Sequence, residues 1–235
     1  MLRRYVSGYP QWVSTVVEET STLVYLVRVA ADGRVARGEQ TRAAVLARAI
    51  DIASVEGLDA LSIGRLAGEL EVSKSGVFAR FGSKEELQVA TIEAARTVFV
   101  DRVVRPAFTA PPGVDRLWRL CEAWIAYARD RVFPGGCFFF ATAAEYDARP
   151  GRQRDAVALA RSDWLTLLER AAEDARQLGQ LESTCDSRQL AFELDALGMA
   201  ANSRAILHDD DSAYDLARAG VLSRLRALAT VPLPG

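Results

Sequence analysis

The spacing of apolar residues changes along the chain from a partly alternating pattern to a helical one. Residues 12–29 are rich in β-branched side chains and partly alternate, which is typical of a strand or hairpin. From Thr41 onward, apolar residues recur three and four positions apart, as in the series Leu46, Ala49, Ile50 and Ala53. The pattern predicts helices from Thr41 onward, and therefore an all-α fold.

Residues at the ends of these stretches predict where individual helices begin and stop. Gly57 follows the first helical stretch as a C-cap, whereas Ser62 and Ser73 can each cap the start of a short helix. Ser83 and Glu86 form a capping box, in which the serine hydroxyl satisfies the Glu86 amide and the Glu86 carboxylate reaches back to Ser83. Breaker residues separate the later helices, near 111–113, 134–136, 149–151, 179 and 209–211.

The two short helices after Ser62 have the features of a helix-turn-helix. This motif needs a small residue where its helices cross, a tight turn, and an apolar anchor in the second helix. Ala67, the Glu71–Val72 turn and Val77 fill these roles, and Phe81 is predicted to face inward beside Val77. Glu71 stands where glycine is usual, so a left-handed conformation there carries a small cost in backbone strain.

Charge on this motif is local, because the formal net charge of the chain is only -2. The stretch from Ser73 to Lys84 contains Lys74, Arg80 and Lys84 and no acidic residue, whereas acidic residues flank it. Ammonium, guanidinium and hydroxyl groups suit phosphate oxygens and base edges, and the amides that open a helix suit phosphate. The alternative is a pair of ordinary core helices with solvated charges.

The run LSIGRLAGELEVSKSGVFARFGSKEEL resembles the DNA-binding domain of the TetR/AcrR family of bacterial regulators, and the resemblance extends from about Thr41 to Ala95. It implies a three-helix helix-turn-helix domain followed by a larger helical domain for ligand binding and dimerisation. We therefore expect a poorly defined N-terminal extension at 1–38, for which a mis-set start is one explanation, a DNA-binding domain at 39–85, and a ligand-binding and dimerisation domain at 86–235.

The resemblance also implies which residues contact DNA. Phe78 stands where the family usually has tyrosine, so one phosphate hydrogen bond is lost there, and Gly82 replaces a frequent proline. The expected DNA-binding residues are Thr41, Arg42, Ser62, Ser73, Lys74, Ser75, Gly76, Phe78, Arg80 and Lys84.

Aromatic residues after position 110 predict a pocket for an unidentified small apolar or aromatic effector. Each of these aromatic residues can instead belong to an ordinary packed core. The predicted lining residues are Trp118, Trp124, Phe138, Phe139, Phe140 and Trp164.

One apolar helix face near residues 188–207 predicts a homodimer interface. Together with the helix at 152–178, it can form a four-helix bundle between subunits, although an intrachain helix pair would have the same pattern. The predicted interface residues are Leu190, Leu194, Leu197, Gly198 and Ala201.

Other protein classes fit the sequence poorly. No apolar run reaches the length of a membrane span, and three widely spaced cysteines predict reduced thiols in the cytoplasm. No cofactor, metal site or enzyme motif is predicted: His208 beside Asp209–Asp211 is interpreted as a solvated helix end, and Glu145 and Asp147 near Arg149 as a surface charge cluster.

We therefore predict a transcriptional regulator rather than an enzyme. The expected mechanism, by family analogy, is a homodimeric repressor that binds a near-palindromic DNA operator and leaves it when effector binding changes the separation of the two reading heads. The alternative is a helical small-molecule-binding or interaction protein that has lost the ability to bind DNA, which the residues at positions 71 and 78 keep open.

Overall fold

The computed structural model describes residues 33–233, and these confirm the all-α prediction. Short turns at Leu58–Ala60 (3-10), Val100–Val104 (π) and Arg105–Ala107 (α) connect or extend the longer helices. Those nine helices are α1 Gly33–Glu56, α2 Ile63–Glu69, α3 Lys74–Phe81, α4 Lys84–Phe99, α5 Val114–Arg129, α6 Phe138–Tyr146, α7 Arg152–Gln177, α8 Ser187–His208 and α9 Ser212–Leu228.

The first helix begins earlier than the sequence pattern predicts. Residues 33–40 are helical and continue without interruption into the predicted helix at Thr41. The last six residues of the predicted extension at 1–38 are therefore part of α1. The strand or hairpin predicted at 12–29 lies outside the described residues.

The chain forms two compact units, which we describe separately. The N-terminal unit comprises residues 33–98 and 133–160, and the C-terminal unit comprises residues 99–132 and 161–233. The boundaries fall inside α4 and α7, so each of these helices contributes residues to both units.

In the N-terminal unit, α1 packs against α2, α3 and α6, and α2 packs against α3. The helical spacing of apolar residues explains this arrangement, because Val45, Ala49 and Ala53 lie on one side of α1 and are fully buried. Gly135 approaches the C-terminal end of α1 so closely that an added Cβ would lie 1.8 Å from the Ser54 carbonyl oxygen. Its N–H donates to Ser54 Oγ at 3.1 Å, which fixes the chain where it enters α6.

In the C-terminal unit, α5 packs against α8 and α9, and α8 packs most extensively against α9. Gly198 of α8 allows the closest approach, since an added Cβ would lie 1.6 Å from Cζ3 of Trp124 on α5. Both residues are buried, so the indole of Trp124 fills the space that a side chain at position 198 would need.

A stripe of buried residues runs along α4 and continues through the π turn. These residues are spaced four apart, whereas an α-helix repeats every 3.6 residues, so the stripe rotates around a regular α-helix by about 40° per step. The wider π turn, closed by the Arg105 N–H bond to the Val100 carbonyl, compensates part of this rotation. The buried stripe consists of Leu87, Thr91, Ala95, Phe99, Val103 and Ala107.

Within the described part of the chain, no helix is long and apolar enough to cross a membrane.

We predict that Gly198→Ala destabilises the protein by about 1–3 kcal/mol, because the added methyl group overpacks the core against Trp124. Chemical denaturation monitored by circular dichroism measures the change. Gly68→Ala in α2 is the matched control: an added Cβ there meets no atom within 4 Å. It should be neutral or stabilise the protein by up to about 1 kcal/mol through helix propensity. Equal effects of the two substitutions would contradict the packing argument.

Candidate nucleic-acid interface

The second helix of the predicted motif, α3, has one buried and one exposed face. Val77 is fully buried and Phe81 is 6% exposed, which confirms the predicted anchors. On the opposite face Lys74 and Ser75 are exposed, and Phe78 exposes 56% of its surface. Phe78 leaves more than half of its surface open on this face, which is therefore accessible to a partner.

The turn before α3 has the predicted geometry. Glu71 adopts φ +53°, the left-handed conformation that glycine usually supplies. The next amide, Val72 N–H, donates to the carbonyl of Ala67 at 3.0 Å, and Ala67 is buried where the two helices cross. These contacts hold α2 and α3 at a tight turn.

Serine hydroxyls open three helices of this unit, as predicted. Ser62 Oγ accepts from Arg65 N–H and Ser73 Oγ accepts from Gly76 N–H, both at 3.1 Å. Ser83 Oγ accepts from Glu86 N–H at 3.0 Å, which is half of the predicted capping box. These caps satisfy amides that have no partner inside the helix.

The other half of the capping box was predicted incorrectly. The Glu86 carboxylate does not reach back to Ser83 but binds the guanidinium of Arg152 at the start of α7. The Ser83 N–H instead donates to the Phe81 carbonyl at 2.8 Å. A charged guanidinium is a stronger partner for a carboxylate than a neutral amide, and it lowers the pKa of Glu86.

The cations of the predicted interface contact backbone oxygens or neutral groups. The chain has two lysines in total, and they flank α3. Lys84 Nζ donates to the Asp59 carbonyl at 2.6 Å, and the side chain of Lys74 lies close to Gly64. Arg80 Nε donates to the Gly38 carbonyl at 3.2 Å, and its Nη1 donates to the Gly76 carbonyl at the same distance.

Neighbouring cations of the same unit are paired with carboxylates. Arg48 and Arg65 both bind Glu69, and Arg65 also binds Glu56. Hydrogen bonds from Arg65 lower the pKa of Glu56 and, together with Arg48, that of Glu69. The four side chains form one exposed network that links α1 to α2 and neutralises its own charge.

None of the cations of the predicted interface forms such a salt bridge with a described residue, because each of its contacts is to a carbonyl, an aromatic ring or a glycine. The charge of Lys84 helps to lower the pKa of the nearby Asp59 carboxylate, but the two groups form no salt bridge. The set consists of Arg42, Lys74, Arg80 and Lys84.

The remaining predicted DNA-binding residues lie around the same helices. Thr41 and Arg42 are half-buried on α1, and the Arg42 guanidinium lies 5.2 Å from the centre of the Phe81 ring. Ser75 is exposed, and its Oγ lies 3.4 Å from Ser73 Oγ. Gly76 is half-buried and closes the cap of Ser73.

Sequence reasoning missed how Glu145 is used. Its interpretation as part of a surface charge cluster was wrong, because its carboxylate accepts from the N–H groups of Leu58 and Asp59 at 2.7 and 3.0 Å. These amides follow Gly57, whose φ of +86° turns the chain out of α1. Glu145 and Leu58 are 87 positions apart in the sequence, which explains why no local pattern indicated the contact.

The side chain of Asp59 is held by the same segment. Tyr146 Oη donates to Asp59 Oδ1 at 2.9 Å, and Arg149 Nη1 donates to Oδ2 at 2.7 Å. The Tyr146 hydrogen bond is the largest cause of a lowered Asp59 pKa, followed among the favourable contacts by Arg149. Burial and the bond to Asp59 raise the pKa of Tyr146.

The six aromatic residues predicted to line a pocket lie in two units. Trp118, Trp124 and Trp164 are buried in the C-terminal unit. In the N-terminal unit, Phe138 and Phe139 are buried in edge-to-face contact, 5.3 Å between ring centres, and Phe140 is half-buried. The pocket itself stays a prediction.

A partly buried ion pair adjoins Trp164 and was not predicted from the sequence. Arg161 binds Asp195 through Nη2 at 2.7 Å, and Trp164 Nε1 donates to Asp195 Oδ1 at 3.0 Å. Phe99 packs edge-to-face on Trp164, with ring centres 5.2 Å apart. The one available signal was an aspartate within the apolar spacing of α8.

The residues predicted to form the dimer interface are mostly covered within one chain. Leu190, Leu194, Gly198 and Ala201 are buried, and only Leu197 remains half-exposed. The predicted bundle used α7 as the partner of α8, whereas α8 packs most extensively against α9 of the same chain. The prediction therefore selected the inner face of α8, because apolar spacing does not distinguish contacts within a chain from contacts between chains.

His208 is exposed at the end of α8, as interpreted from the sequence. Arg131 pairs with Asp209 and Asp211, while Asp210 accepts from Ser212 and Arg204. The described residues include no group of three histidine, cysteine or acidic side chains that could hold a metal ion.

Comparison with known proteins assigns both parts of the chain. Residues 45–91 match a family model described as "Bacterial regulatory proteins, tetR family", and residues 113–221 match one described as "Tetracyclin repressor-like, C-terminal domain". Together they cover about two thirds of the chain. A search of curated proteins found no match.

Solved structures with similar folds carry the same description. A TetR transcriptional regulator from Chloroflexus aurantiacus aligns with a TM-score of 0.76 at 21% identity, over 82% of this chain and 98% of that chain. SCO4454, a TetR-family regulator from Streptomyces coelicolor, gives 0.68 at 23%, over 81% and 96%. Reduced NemR from E. coli gives 0.69 at 22%, over 82% and 98%. These similarities establish a shared fold.

We predict that Tyr146→Phe raises the pKa of Asp59 toward its usual value of 3.8, because the largest favourable contact to the carboxylate is lost. A lowered pKa stabilises the fold above pH 3.8 and is lost as the pH falls, so the destabilisation by Tyr146→Phe should diminish in acid. Carbon-13 NMR titration measures the pKa. Tyr214→Phe, in the C-terminal unit, is the control, and an unchanged Asp59 pKa in Tyr146→Phe would contradict the assignment.

Proposed function

Because the chain belongs to the TetR family of bacterial regulatory proteins, we propose that it is a homodimeric repressor released from its operator by a small effector. The observation that carries the proposal is the surface around α3, where Lys74, Arg80 and Lys84 form no salt bridge with a described carboxylate. DNA phosphates supply the anions that this face lacks.

In this proposal α3 enters the major groove and the residues around it contact the backbone. Lys74 and Ser75 are exposed at the start of α3, where side chains reach base edges. Lys84 lies at the start of α4 and Ser62 at the start of α2, where helix amides and positive charge favour phosphate. Thr41, Arg42, Ser73 and Gly76 complete the backbone contacts.

Two residues act differently from the family expectation. Phe78 has no hydroxyl, so its exposed ring contributes van der Waals contact with sugar or base methyl groups. Arg80 donates through Nε and Nη1 to two backbone carbonyls. These two hydrogen bonds fix the orientation of the guanidinium, including its third nitrogen, Nη2. The Arg80 guanidinium is therefore preorganised, and its contact with DNA costs less side-chain entropy.

The exposed face of α8, opposite the buried one, supports dimerisation. Phe192 exposes 63% of its surface there, and Leu216 of the adjoining α9 exposes 65%. Leu197 bridges the two helices: its Cδ2 would lie 3.2 Å from a Cβ on Gly220. Exposed apolar side chains on these two helices suit an isologous interface, which would set two α3 helices about one DNA turn apart.

The tryptophans of the C-terminal unit support an effector of apolar or aromatic chemistry. Trp164 lies against Phe99 and donates to Asp195, so aromatic rings and a carboxylate lie side by side in this unit. Release from DNA requires the effector to bind the conformation that does not bind the operator more tightly than the conformation that does. The repressor role rests on family analogy.

DNA binding can be tested by fluorescence anisotropy on the DNA upstream of the gene. Lys84→Ala should weaken binding and reduce the slope of log affinity against log salt by about one, because one phosphate contact is removed. Arg119→Ala, an exposed arginine of α5, is the control for general loss of charge. Amine acetylation adds a second readout, since operator DNA should protect both lysines.

Equal and weak binding of the parent protein to operator DNA and to scrambled DNA would contradict operator recognition. That result would favour the alternative, a helical small-molecule-binding or interaction protein.

The dimer can be tested by sedimentation velocity. Phe192→Arg combined with Leu216→Arg should shift the protein from dimer to monomer, because two charges per subunit would be buried without partners. Leu159→Arg, which changes an equally exposed leucine on α7, should leave the dimer intact. A monomeric parent protein, or a dimer that survives the double substitution, would contradict this interface.

A further inference from the structure

A cleft runs between α1 and α4 within the N-terminal unit. It has a volume of about 570 Å³. Its walls are formed by one face of each helix, spaced three and four residues apart. The lining residues are Arg42, Ala43, Leu46, Ala47 and Ile50 from α1, and Ala90, Glu93, Ala94, Thr97 and Val98 from α4.

The chemistry of this cleft fits an apolar polypeptide better than a small molecule. Alanine, leucine, isoleucine and valine form most of its surface, and the polar side chains are not buried. Thr97 Oγ1 donates to the Glu93 carbonyl, and the Arg42 guanidinium lies against Phe81. A small-molecule site usually presents a few polar groups that converge on the ligand, whereas here the Thr97 hydroxyl is used within α4 and the Arg42 guanidinium lies on Phe81.

The chain itself contains a suitable occupant immediately before α1. Residues 23–27 read Leu-Val-Tyr-Leu-Val, the longest uninterrupted apolar run among the 32 residues that precede Gly33. Apolar side chains in such number gain free energy when they are removed from water. Five residues in extended conformation span about 13 Å, and the α1 wall from Arg42 to Ile50 is about 12 Å long.

The connection to α1 is long enough for this run to reach the cleft. Ala43 lies ten residues into α1, about 15 Å from Gly33 along the helix axis. The six steps from Val27 to Gly33 span up to about 20 Å. A covalent tether of this length also raises the effective concentration of the run near the cleft to about the millimolar range.

We propose that the run Leu23–Val27 docks in the cleft between α1 and α4 of its own chain. Docking covers the apolar cleft wall and joins the N-terminal segment to the two helices that flank the DNA-binding face. Arg42 belongs to both surfaces, so the docked segment adjoins the position where α1 meets DNA. The inference goes beyond the proposed function, because docking does not require an operator, a repressor role or an effector.

Cysteine cross-linking in the full chain tests this placement. Leu26→Cys is combined with Ala47→Cys, which lines the cleft, or with Ala44→Cys, which is equally exposed on α1 but does not line it. A short bismaleimide then joins neighbouring thiols. The native cysteines are buried, and burial raises the pKa of Cys121 to about 12, so they react slowly. The parent protein is the reagent control.

We expect an intramolecular cross-link to Ala47→Cys with a yield at least about tenfold above that to Ala44→Cys, read by peptide mass spectrometry. Adding Ala94→Glu to the first pair should lower the yield by about the same factor, because docking would then bury a carboxylate among apolar groups. Circular dichroism checks that each variant is folded.

Equal yields at positions 47 and 44 would overturn the proposal, since an undocked segment samples both. A cross-linked dimer at position 47 would assign the cleft to a second copy, and no cross-link at either position would leave it to a small molecule. Both results also overturn intrachain docking. None of these readouts uses DNA, so failure here is distinguishable from failure of the proposed function.

Discussion

Two hydrogen bonds from backbone amides to the Glu145 carboxylate join the two sequence segments of the N-terminal unit. The amides of Leu58 and Asp59 follow a turn that leaves α1, so no helix satisfies them, and an ionised acceptor bonds such groups more strongly than a neutral one. Tyr146 and Arg149 hold the Asp59 side chain, and its carbonyl receives Lys84. The start of α4, and with it one cation of the proposed DNA-binding face, depends on this junction.

Some cationic side chains of the same unit are neutralised by carboxylates of the fold, whereas others keep their charge available for a partner. Arg48 and Arg65 use their charge on Glu69 within the fold. Lys84 and Arg80 are instead fixed by carbonyl oxygens, which orient a cation but do not neutralise it. A chain with nearly balanced total charge can therefore present a positive surface, because nearby acidic residues such as Glu56, Glu69 and Glu86 are paired with other arginines.

Local sequence signals predicted local structure well. Serine caps, the buried pair Val77 and Phe81, and the left-handed Glu71 follow from rules that act over a few residues. Contacts between distant segments were missed, as for Glu145. The Glu86 carboxylate likewise binds the distant Arg152 and not the neighbouring Ser83 amide. Face selection failed on α8, where Leu190 and Phe192 are both apolar but only the first is buried.

The π turn at Val100–Val104 makes the helical stretch from Lys84 to Ala107 sensitive to the number of its residues. Each residue of an α-helix rotates the chain by about 100°, so inserting or removing one residue here would turn every later side chain away from its present neighbours. The buried stripe from Leu87 to Ala107 holds its alignment only with the present residue count. The number of residues in this stretch is thus fixed by rotational phase, whereas their identities are constrained mainly by the need for apolar groups on one side.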